Sequence, residues 1–196
     1  AAVIHILYLA SGNARRFHGN KLLTMVDGKP LFLHGLKLLD GICRERGDCT
    51  LTVVSQHPQI RQYARQMGIR EVDSPGSPLG LSHTIAAGIR SIPGLKAEDF
   101  LVFCVADQPN LTKASLYGLL DQAIPGTSAA RLCWQDRPGN PVLFAGRLAG
   151  ELLDLTGDQG GGSVAARHGC KWVQVSDPRE LADVDTPEDL LEGWSE

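Results

Sequence analysis

Three segments of the chain combine glycines, cations and carboxylates in patterns that suit the binding of a polyphosphate. The first is LASGNARRFHGNK, residues 9–21, which contains the three cations Arg15, Arg16 and Lys21. Glycines allow backbone N–H groups to approach an anion closely, and the cations would neutralise its charge. A Walker A loop is excluded, because Gly19 is followed by Asn20 instead of Lys and then Ser or Thr. A solvated basic loop remains the alternative.

The second segment, FCVADQPNLT, delivers a carboxylate at the end of an apolar run. Asp107 follows seven apolar residues, 100–106, and precedes Pro109 by two positions. A carboxylate at the end of a buried strand is a natural ligand for Mg²⁺ that bridges phosphate oxygens. The alternative is a turn-forming aspartate that bonds only its own backbone.

The third segment, DVDTPEDL, places Asp183 and Asp185 before a helix start at Thr186 and Pro187. These carboxylates could complete a metal site with Asp107. Acidic residues are also expected at a helix N-terminus because of the helix dipole, so simple capping stays open.

Two turn-rich segments could contact a nucleotide or a second phosphate. Residues 74–89 open a helix near Ser82, and residues 157–163 form a glycine-rich turn before another helix. Plain connections explain both segments equally well. The chain has no HExxH or GxSxG motif, which disfavours zinc chemistry and covalent catalysis and favours direct in-line transfer.

The elements that must position these residues follow a βαβ rhythm. This rhythm predicts an α/β fold with a mostly parallel sheet covered by helices, in which ligands bind at the carboxyl ends of the strands. Strands are predicted at residues 3–10, 50–55, 69–72, 100–106, 128–134, 141–146 and 171–175. Helices are predicted at residues 30–42, 59–67, 82–91, 112–123 and 147–155, in a short piece after 163, and from 186 onward. The polar turn QDRPGN between two strands predicts an antiparallel excursion.

Composition narrows the class of protein. No linker divides the 196 residues, which predicts a single domain, residues 1–196. The formal net charge is -3, so neither nucleic acid nor a membrane surface is expected as a partner. Five scattered cysteines without a CxxC pair, no apolar stretch near membrane-spanning length and no signal peptide predict a cytoplasmic protein.

Six motifs carry a family resemblance. LASGNARRFHGNKLL, GLSHTIAAGI, FCVADQPNLT, RPGNPVLF, GDQGG and DVDTPEDL, in this order, resemble molybdenum cofactor (molybdopterin) cytidylyltransferases of the MobA-like NTP transferase family. The resemblance implies a Rossmann-like nucleotidyltransferase fold, a three-layer sandwich. It also implies Mg²⁺-dependent joining of CTP, or another NTP, to molybdopterin with release of pyrophosphate, in the service of a molybdenum hydroxylase.

The resemblance also implies roles for residues. The catalytic residues would be Arg16, Lys21 and Asp107, with Mg²⁺ held by Asp107 and Asp185. The nucleotide-binding residues would be Leu9, Ala10, Ser11, Gly12, Gly80, Leu81 and Ser82. The acceptor-binding residues would be Asn140 and Asp158.

The chain departs from the family pattern at four positions. Ser11 replaces an alanine, His18 a glycine, Asn140 a histidine and Gly162 an arginine. The last two changes concern the acceptor more than the nucleotide. The GLS segment is similar to the cytidine-using branch. The alternatives are a guanylyl- or sugar-phosphate nucleotidyltransferase of the same fold, and a non-catalytic accessory protein that hands the cofactor to a hydroxylase.

Overall fold

The computed structural model describes residues 1–12, 20–185 and 189. The strands are β1 (Ile4–Leu9), β2 (Met25–Val26), β3 (Lys29–Pro30), β4 (Cys49–Ser55), β5 (Arg70–Asp73), β6 (Phe100–Val105), β7 (Ala129–Trp134), β8 (Arg137–Ala145) and β9 (Cys170–Gln174). The α-helices are α1 (Leu31–Arg46), α2 (Pro58–Gln66), α3 (Leu81–Arg90), α4 (Lys113–Leu120), α5 (Ala149–Leu153) and α6 (Gly162–Arg167). Single 3₁₀ turns occupy Lys21–Leu23, Ser77–Leu79, Gly146–Leu148 and Pro178–Leu181.

Seven strands form one sheet in the order β5-β4-β1-β6-β8-β7-β9. The pairs β5–β4, β4–β1, β1–β6 and β7–β9 are parallel, whereas β8 runs antiparallel to both of its neighbours. Strands β2 and β3 pair separately as a small antiparallel hairpin. The fold prediction is therefore confirmed: the sheet is mostly parallel and has an antiparallel excursion.

Helices cover both faces of the sheet, which makes three layers. Alternate residues of β1 point to opposite faces, as strand geometry requires, so Ile6 and Tyr8 belong to one hydrophobic core and Leu7 and Leu9 to the other. The first core is closed by α1, α2 and α4, and the second by α3, α5 and α6. Both faces of the central strands are thus apolar, which explains their near-continuous hydrophobic sequences.

Close packing of α1 on β1 depends on one glycine. The hydroxyl of Tyr8 donates a hydrogen bond to the carbonyl oxygen of Phe32 at 2.6 Å. A Cβ at Gly35 would lie 2.7 Å from the same hydroxyl oxygen, so only glycine leaves room for it. The helix ends where Gly47 adopts a left-handed conformation, with φ of 74°.

Several boundaries differ from the sequence prediction. The predicted polar turn is mostly strand, because β8 starts at Arg137 and only Gln135 and Asp136 form the turn. The helix predicted at 147–155 shortens to α5 behind a 3₁₀ turn, and the β2–β3 hairpin was not predicted. The helix predicted from 186 onward lies almost entirely outside the described residues.

None of the described helices has the length and apolar character needed to span a lipid bilayer.

Candidate active site

A cavity of about 580 Å³ opens at the carboxyl ends of β1, β4 and β6. This is the edge at which sheets of this type bind ligands. Its wall consists of Leu9, Ser11, Gly12, Lys21, Leu22, Gln56, Ser77, Pro78, Leu81, Thr84, Val105, Ala106, Asp107, Asn140, Asp158 and Asp183. These residues come from segments far apart in sequence, and the fold brings them together.

Lys21 and Asp107 form an ion pair in the wall of this cavity. The Nζ atom of Lys21 lies 3.0 Å from Oδ2 of Asp107 and donates a second hydrogen bond, of 2.8 Å, to the carbonyl oxygen of Val184. Lys21 is 7% exposed and belongs to a 3₁₀ turn that Asn20 caps through its side chain. The positive charge is therefore fixed in place, next to a carboxylate at the end of β6.

Two more carboxylates lie near this pair. Oδ1 of Asp185 is 3.6 Å from Nζ of Lys21, and Asp183 lines the cavity although its side chain is exposed overall. Partial desolvation, then the charges of Asp107 and Asp185, raise the pKa of Asp183 to about 7 against the opposing effect of Lys21. Negative charge thus accumulates at this corner, which suits a cation.

The described residues do not form a metal site by themselves. Within residues 1–12, 20–185 and 189, no group of three His, Cys, Asp or Glu side chains could hold a metal ion. The carboxylates of Asp107 and Asp185 nevertheless converge on one cation, the ammonium group of Lys21. Two carboxylates fit Mg²⁺, which usually takes its remaining ligands from substrate phosphates and water.

The loop after β1 is fixed by hydrogen bonds to the loops after β4 and β5. The hydroxyl of Ser11 lies 2.8 Å from that of Ser74 and accepts a hydrogen bond from the backbone N–H of Gln56. Ser11 and Gly12 line the cavity, whereas Ala10 is fully buried and pairs with β4 through its N–H. Arg16 lies outside the described residues.

The start of α3 is tied to the glycine-rich turn before α6. The N–H and the hydroxyl of Ser82 both donate to the carbonyl oxygen of Gly157, at 3.0 and 2.7 Å. Gly80 has a φ of 135°, and a Cβ there would lie 2.2 Å from that oxygen. As a result Leu81 and Asp158 line the cavity. Gly80 and Ser82 do not line it, but their contacts with Gly157 fix the positions of these two wall residues.

A second cavity, of about 400 Å³, adjoins the first. Its wall consists of Gln108, Arg131, Trp134, Arg137, Pro138, Gly139, Asn140, Pro178, Leu181, Ala182 and Asp183. Asn140 and Asp183 belong to both cavities. Asn140 reaches this position because β8 bulges: Arg131 pairs with Val142 but Cys133 pairs with Pro138, so two steps on β7 correspond to four on β8.

Residues 178–185, here called the strap, contribute Asp183 to the walls of both cavities and Pro178, Leu181 and Ala182 to the wall of the second. The side-chain amide of Gln108 donates to the carbonyl oxygen of Leu181 at 3.2 Å, and the N–H of Val184 donates to that of Asp107 at 3.0 Å. Buried Glu180 accepts two hydrogen bonds from Thr112. The strap therefore brings its acidic residues to the end of β6.

Sequence reasoning missed several wall residues. Gln56 directly follows β4, so the rule that ligands bind at strand ends could have identified it. Ser77 and Thr84, whose hydroxyl oxygens lie 2.6 Å apart, fall within residues 74–89, where the sequence predicts nucleotide contacts without specifying these two side chains. Arg131 and Trp134 could not be identified from the sequence, because neither belongs to a recognisable motif. Their place in a cavity wall depends on residues that are distant in sequence.

Comparison with known proteins agrees with this architecture. The family described as MobA-like NTP transferase domain matches residues 6–172. No protein with a curated description matches the sequence.

Solved structures share the fold over nearly the whole chain. A nucleotidyl transferase from Methanothermobacter, Mth528, has a TM-score of 0.81 at 20% identity and covers 99% of this chain and 97% of its own. Rv0371c from Mycobacterium tuberculosis H37Rv, in complex with manganese, has a TM-score of 0.75 at 21% identity and covers 98% of each chain. CMP:2-keto-3-deoxy-manno-octonic acid synthetase complexed with CTP has a TM-score of 0.74 at 13% identity and covers 97% and 96%.

Proposed function

The chain is a nucleotidyltransferase that belongs to the family of MobA-like NTP transferase domains, and from this premise we propose that it transfers CMP from CTP to molybdopterin and releases pyrophosphate. The product serves a molybdenum hydroxylase. The observation that carries the proposal is the pairing of Lys21 with Asp107, 3.0 Å apart, in the wall of a cavity at the carboxyl ends of the central strands.

The reaction is an in-line displacement at phosphorus. A terminal phosphate oxygen of molybdopterin attacks the α-phosphorus of CTP and forms the new P–O bond. The bond from the α-phosphorus to the bridging oxygen breaks, and its electron pair leaves with pyrophosphate. The attacking phosphate is already ionised, so the protein needs no general base and contributes mainly positioning and charge.

Different residues of the cavity are proposed to neutralise charge, bind the nucleotide and contact the acceptor. Lys21 supplies a fixed positive charge toward the phosphates, and Arg16, five residues earlier in the sequence, is proposed as a second cation. Leu9, Ser11 and Gly12 form the wall for the nucleotide on one side, and Leu81 forms it on the other. Asn140, which lies where the two cavities meet, contacts the incoming acceptor, and Asp158 closes the wall beside Leu81.

Asp107 and Asp185 are the residues that would hold Mg²⁺. When bound, the ion would neutralise negative charge on the phosphate oxygens at the reacting phosphorus. Nucleotidyltransferases of this kind usually use a divalent metal, and the structurally similar Rv0371c was solved with manganese.

CTP is the nucleotide we propose. The GLS segment that contributes Leu81 to the cavity is similar to the cytidine-using branch, and a synthetase of the same fold was solved with CTP. A cytoplasmic location is supported by the five cysteines, all of which are free thiols.

Pyrophosphate release from CTP and purified molybdopterin tests the reaction directly. We expect release by the wild type and a decrease of about a hundredfold or more in Asp107→Asn, because the variant keeps the shape of the carboxylate but loses its charge. Asp154→Asn, an exposed position at the end of α5, is the matched control and should keep full activity. Equal rates in the two variants would remove Asp107 from the mechanism.

Thermal unfolding with CTP, GTP, UTP and ATP, each with Mg²⁺, tests the choice of base. A ligand at 100 times its Kd stabilises the folded protein by about 2.7 kcal/mol, so the preferred nucleotide should raise the Tm most. A larger shift with GTP would replace the cytidylyl assignment by a guanylyl one. A shift with CTP but no pyrophosphate release from any acceptor would favour a non-catalytic accessory role.

A further inference from the structure

Arg131 is a half-buried cation without an acidic partner among the described residues. It lies on β7, and its Nε donates to the carbonyl oxygen of Gly139 at 3.0 Å. No ion pair involving Arg131 occurs in the described ranges, and the nearby thiols of Cys170 and Cys133, whose pKa values are raised by burial, stay neutral near pH 7 and do not balance its charge. Burial lowers the pKa of its guanidinium, which means that its charge is poorly solvated.

One terminal nitrogen of Arg131, Nη1, lies beside Gly162, which carries no side chain. A Cβ at Gly162 would lie 3.6 Å from Nη1, an ordinary contact distance, so the absence of a side chain at 162 leaves room in front of the guanidinium. A guanidinium presents its N–H donors as a planar fork that matches two oxygens of a carboxylate, phosphate or similar group. With Nε bonded to Gly139, the Nη groups remain for such a partner.

An aromatic ring and a second cation complete the wall of the second cavity. Trp134, partly exposed, and Arg137, exposed at the rim, follow Arg131 around the β7–β8 turn. Pro138 and Leu181 add apolar surface. An indole face with apolar neighbours favours a flat ring, and the two arginines favour negative charge or carbonyl oxygens on that ring.

The second cavity opens into the proposed reaction site. Asn140 and Asp183 belong to both walls, so one ligand can extend from Arg131 to the region of Asp107. Asp107 and Asp158 line only the first cavity, Asp183 lines both, and the two arginines, Arg131 and Arg137, line only the second. This distribution suits an acceptor with a phosphate at one end and an anionic or carbonyl-bearing ring at the other.

Resting on the transfer reaction proposed above, we infer that the second cavity is the acceptor subsite. Arg131 binds oxygens on the planar ring of the acceptor through its Nη groups, and Trp134 packs against the face of the ring. The phosphate of the acceptor then reaches past Asn140 to the nucleotide.

Binding of pterin-6-carboxylate, a fluorescent planar anion without a phosphate, tests the subsite. Fluorescence anisotropy should show binding in the presence of CTP and Mg²⁺, and Arg131→Gln and Trp134→Leu should each raise the Kd about tenfold or more. Arg147→Gln, in which the lost guanidinium bonds Ser128 away from the cavity, is the control and should bind as the wild type does. An unchanged Kd in Arg131→Gln would overturn the inference, as would competition between the probe and CTP for one site.

Gly162→Asp provides an independent variant if Arg131→Gln folds poorly. A carboxylate here would face Arg131, neutralise it and fill the space before it, and aspartate is well tolerated in the first turn of a helix. We expect the variant to fold and to lose probe binding, whereas Gly162→Ala, which adds only a methyl group, should keep it. Probe binding by Gly162→Asp at wild-type affinity would contradict the subsite.

Failure of the inference can be distinguished from failure of the proposed function. Probe binding that depends on Arg131, without pyrophosphate release from CTP and molybdopterin, would keep the subsite and reject the reaction. Pyrophosphate release with the same KM for molybdopterin in the wild type and Arg131→Gln would keep the reaction and reject the subsite.

Discussion

Gly80 shows how strongly a single backbone position can constrain the cavity. Its φ of 135° and ψ of 167° belong to a region that essentially only glycine occupies, and Gly157 leaves no space for a Cβ. We expect Gly80→Ala to lower the free energy of unfolding by about 2 kcal/mol or more, measured by urea denaturation. CTP should bind more weakly to the variant, because Leu81 and Asp158 depend on this contact for their positions.

Gly150→Ala is the matched control for this substitution. Gly150 lies in α5, and a Cβ there would meet nothing within 4 Å. Alanine is favoured over glycine inside a helix, so the control should gain about 0.5–1 kcal/mol. If the two variants changed stability in the same direction, the close approach of Gly80 to Gly157 would be wrong.

At the level of residues, the sequence predicted which side chains suit the chemistry better than it predicted which residues contact one another. Lys21 and Asp107 could be identified because a cation and a carboxylate beside strand ends suit a nucleotide, and they share one cavity. The sequence predicts Ala10 in the wall of the site, but this residue is buried in the core. Successive side chains of an extended chain point to opposite sides, so a shift of one residue moves a side chain from the cavity to the core. The proposed role of Arg131 could not be predicted from the sequence, because it depends on the proximity of its guanidinium to Gly162, 31 positions later in the chain.

Among the elements, the N-terminus of α4 connects helix stability to the strap. The hydroxyl of Thr112 accepts from the N–H of Ser115 at 3.2 Å and donates to Oε1 of Glu180 at 2.7 Å. Thr112→Ala should cost about 1 kcal/mol through loss of the cap and leave Glu180 less well satisfied. We expect lower stability in urea and faster hydrogen exchange of residues 178–185.

Thr112→Ser retains the hydroxyl and serves as the control. In this variant the backbone amides of the strap should undergo hydrogen exchange at the wild-type rate, and the free energy of unfolding should change little. Rapid exchange of the strap in both variants would show that the hydroxyl of residue 112 does not hold it.

Element types were predictable from periodicity, whereas the details of the excursion were not. Apolar runs located the central strands, because a sheet covered on both faces needs them. The polar letters RPGN indicated a turn, yet they lie in β8, where the bulge opposite Arg131 accommodates them. The β2–β3 hairpin is too short to leave a periodic pattern.

For the molecule as a whole, one buried carboxylate, Asp99 at the amino end of the sheet, makes the stability of the fold depend on pH. Burial alone would raise the pKa of Asp99, but hydrogen bonds from the N–H groups of Val3 and Lys96 and from His5 lower it below its ordinary value. A depressed pKa stabilises the fold above the unfolded-state pKa of about 3.9, and this contribution is lost as the pH falls through the lower folded-state value.

Urea denaturation between pH 7 and pH 3 should reveal this contribution. The wild type should exceed Asp99→Asn in stability at pH 7, and the gap should narrow as the pH falls below about 4. Asp136→Asn, at the exposed β7–β8 turn, is the control and should change stability little at pH 7. A gap for Asp99→Asn that stays constant across this range would exclude the carboxylate as its source.

The three-layer architecture followed from the order of apolar segments, but the approach of the strap to the site did not. The carbonyl oxygen of Val184 accepts from Lys21, a residue 163 positions earlier in the chain. Nothing in the local pattern around either residue encodes such a distant partner.

That bond has a consequence for the newly made protein. Strands β1, β4 and β6 can pair while the chain is still emerging from the ribosome, but Lys21 must wait for almost all later residues before its last acceptor exists. Until residue 184 has left the exit tunnel, the ammonium group of Lys21 can pair with Asp107 but lacks the carbonyl oxygen of Val184 as its second partner.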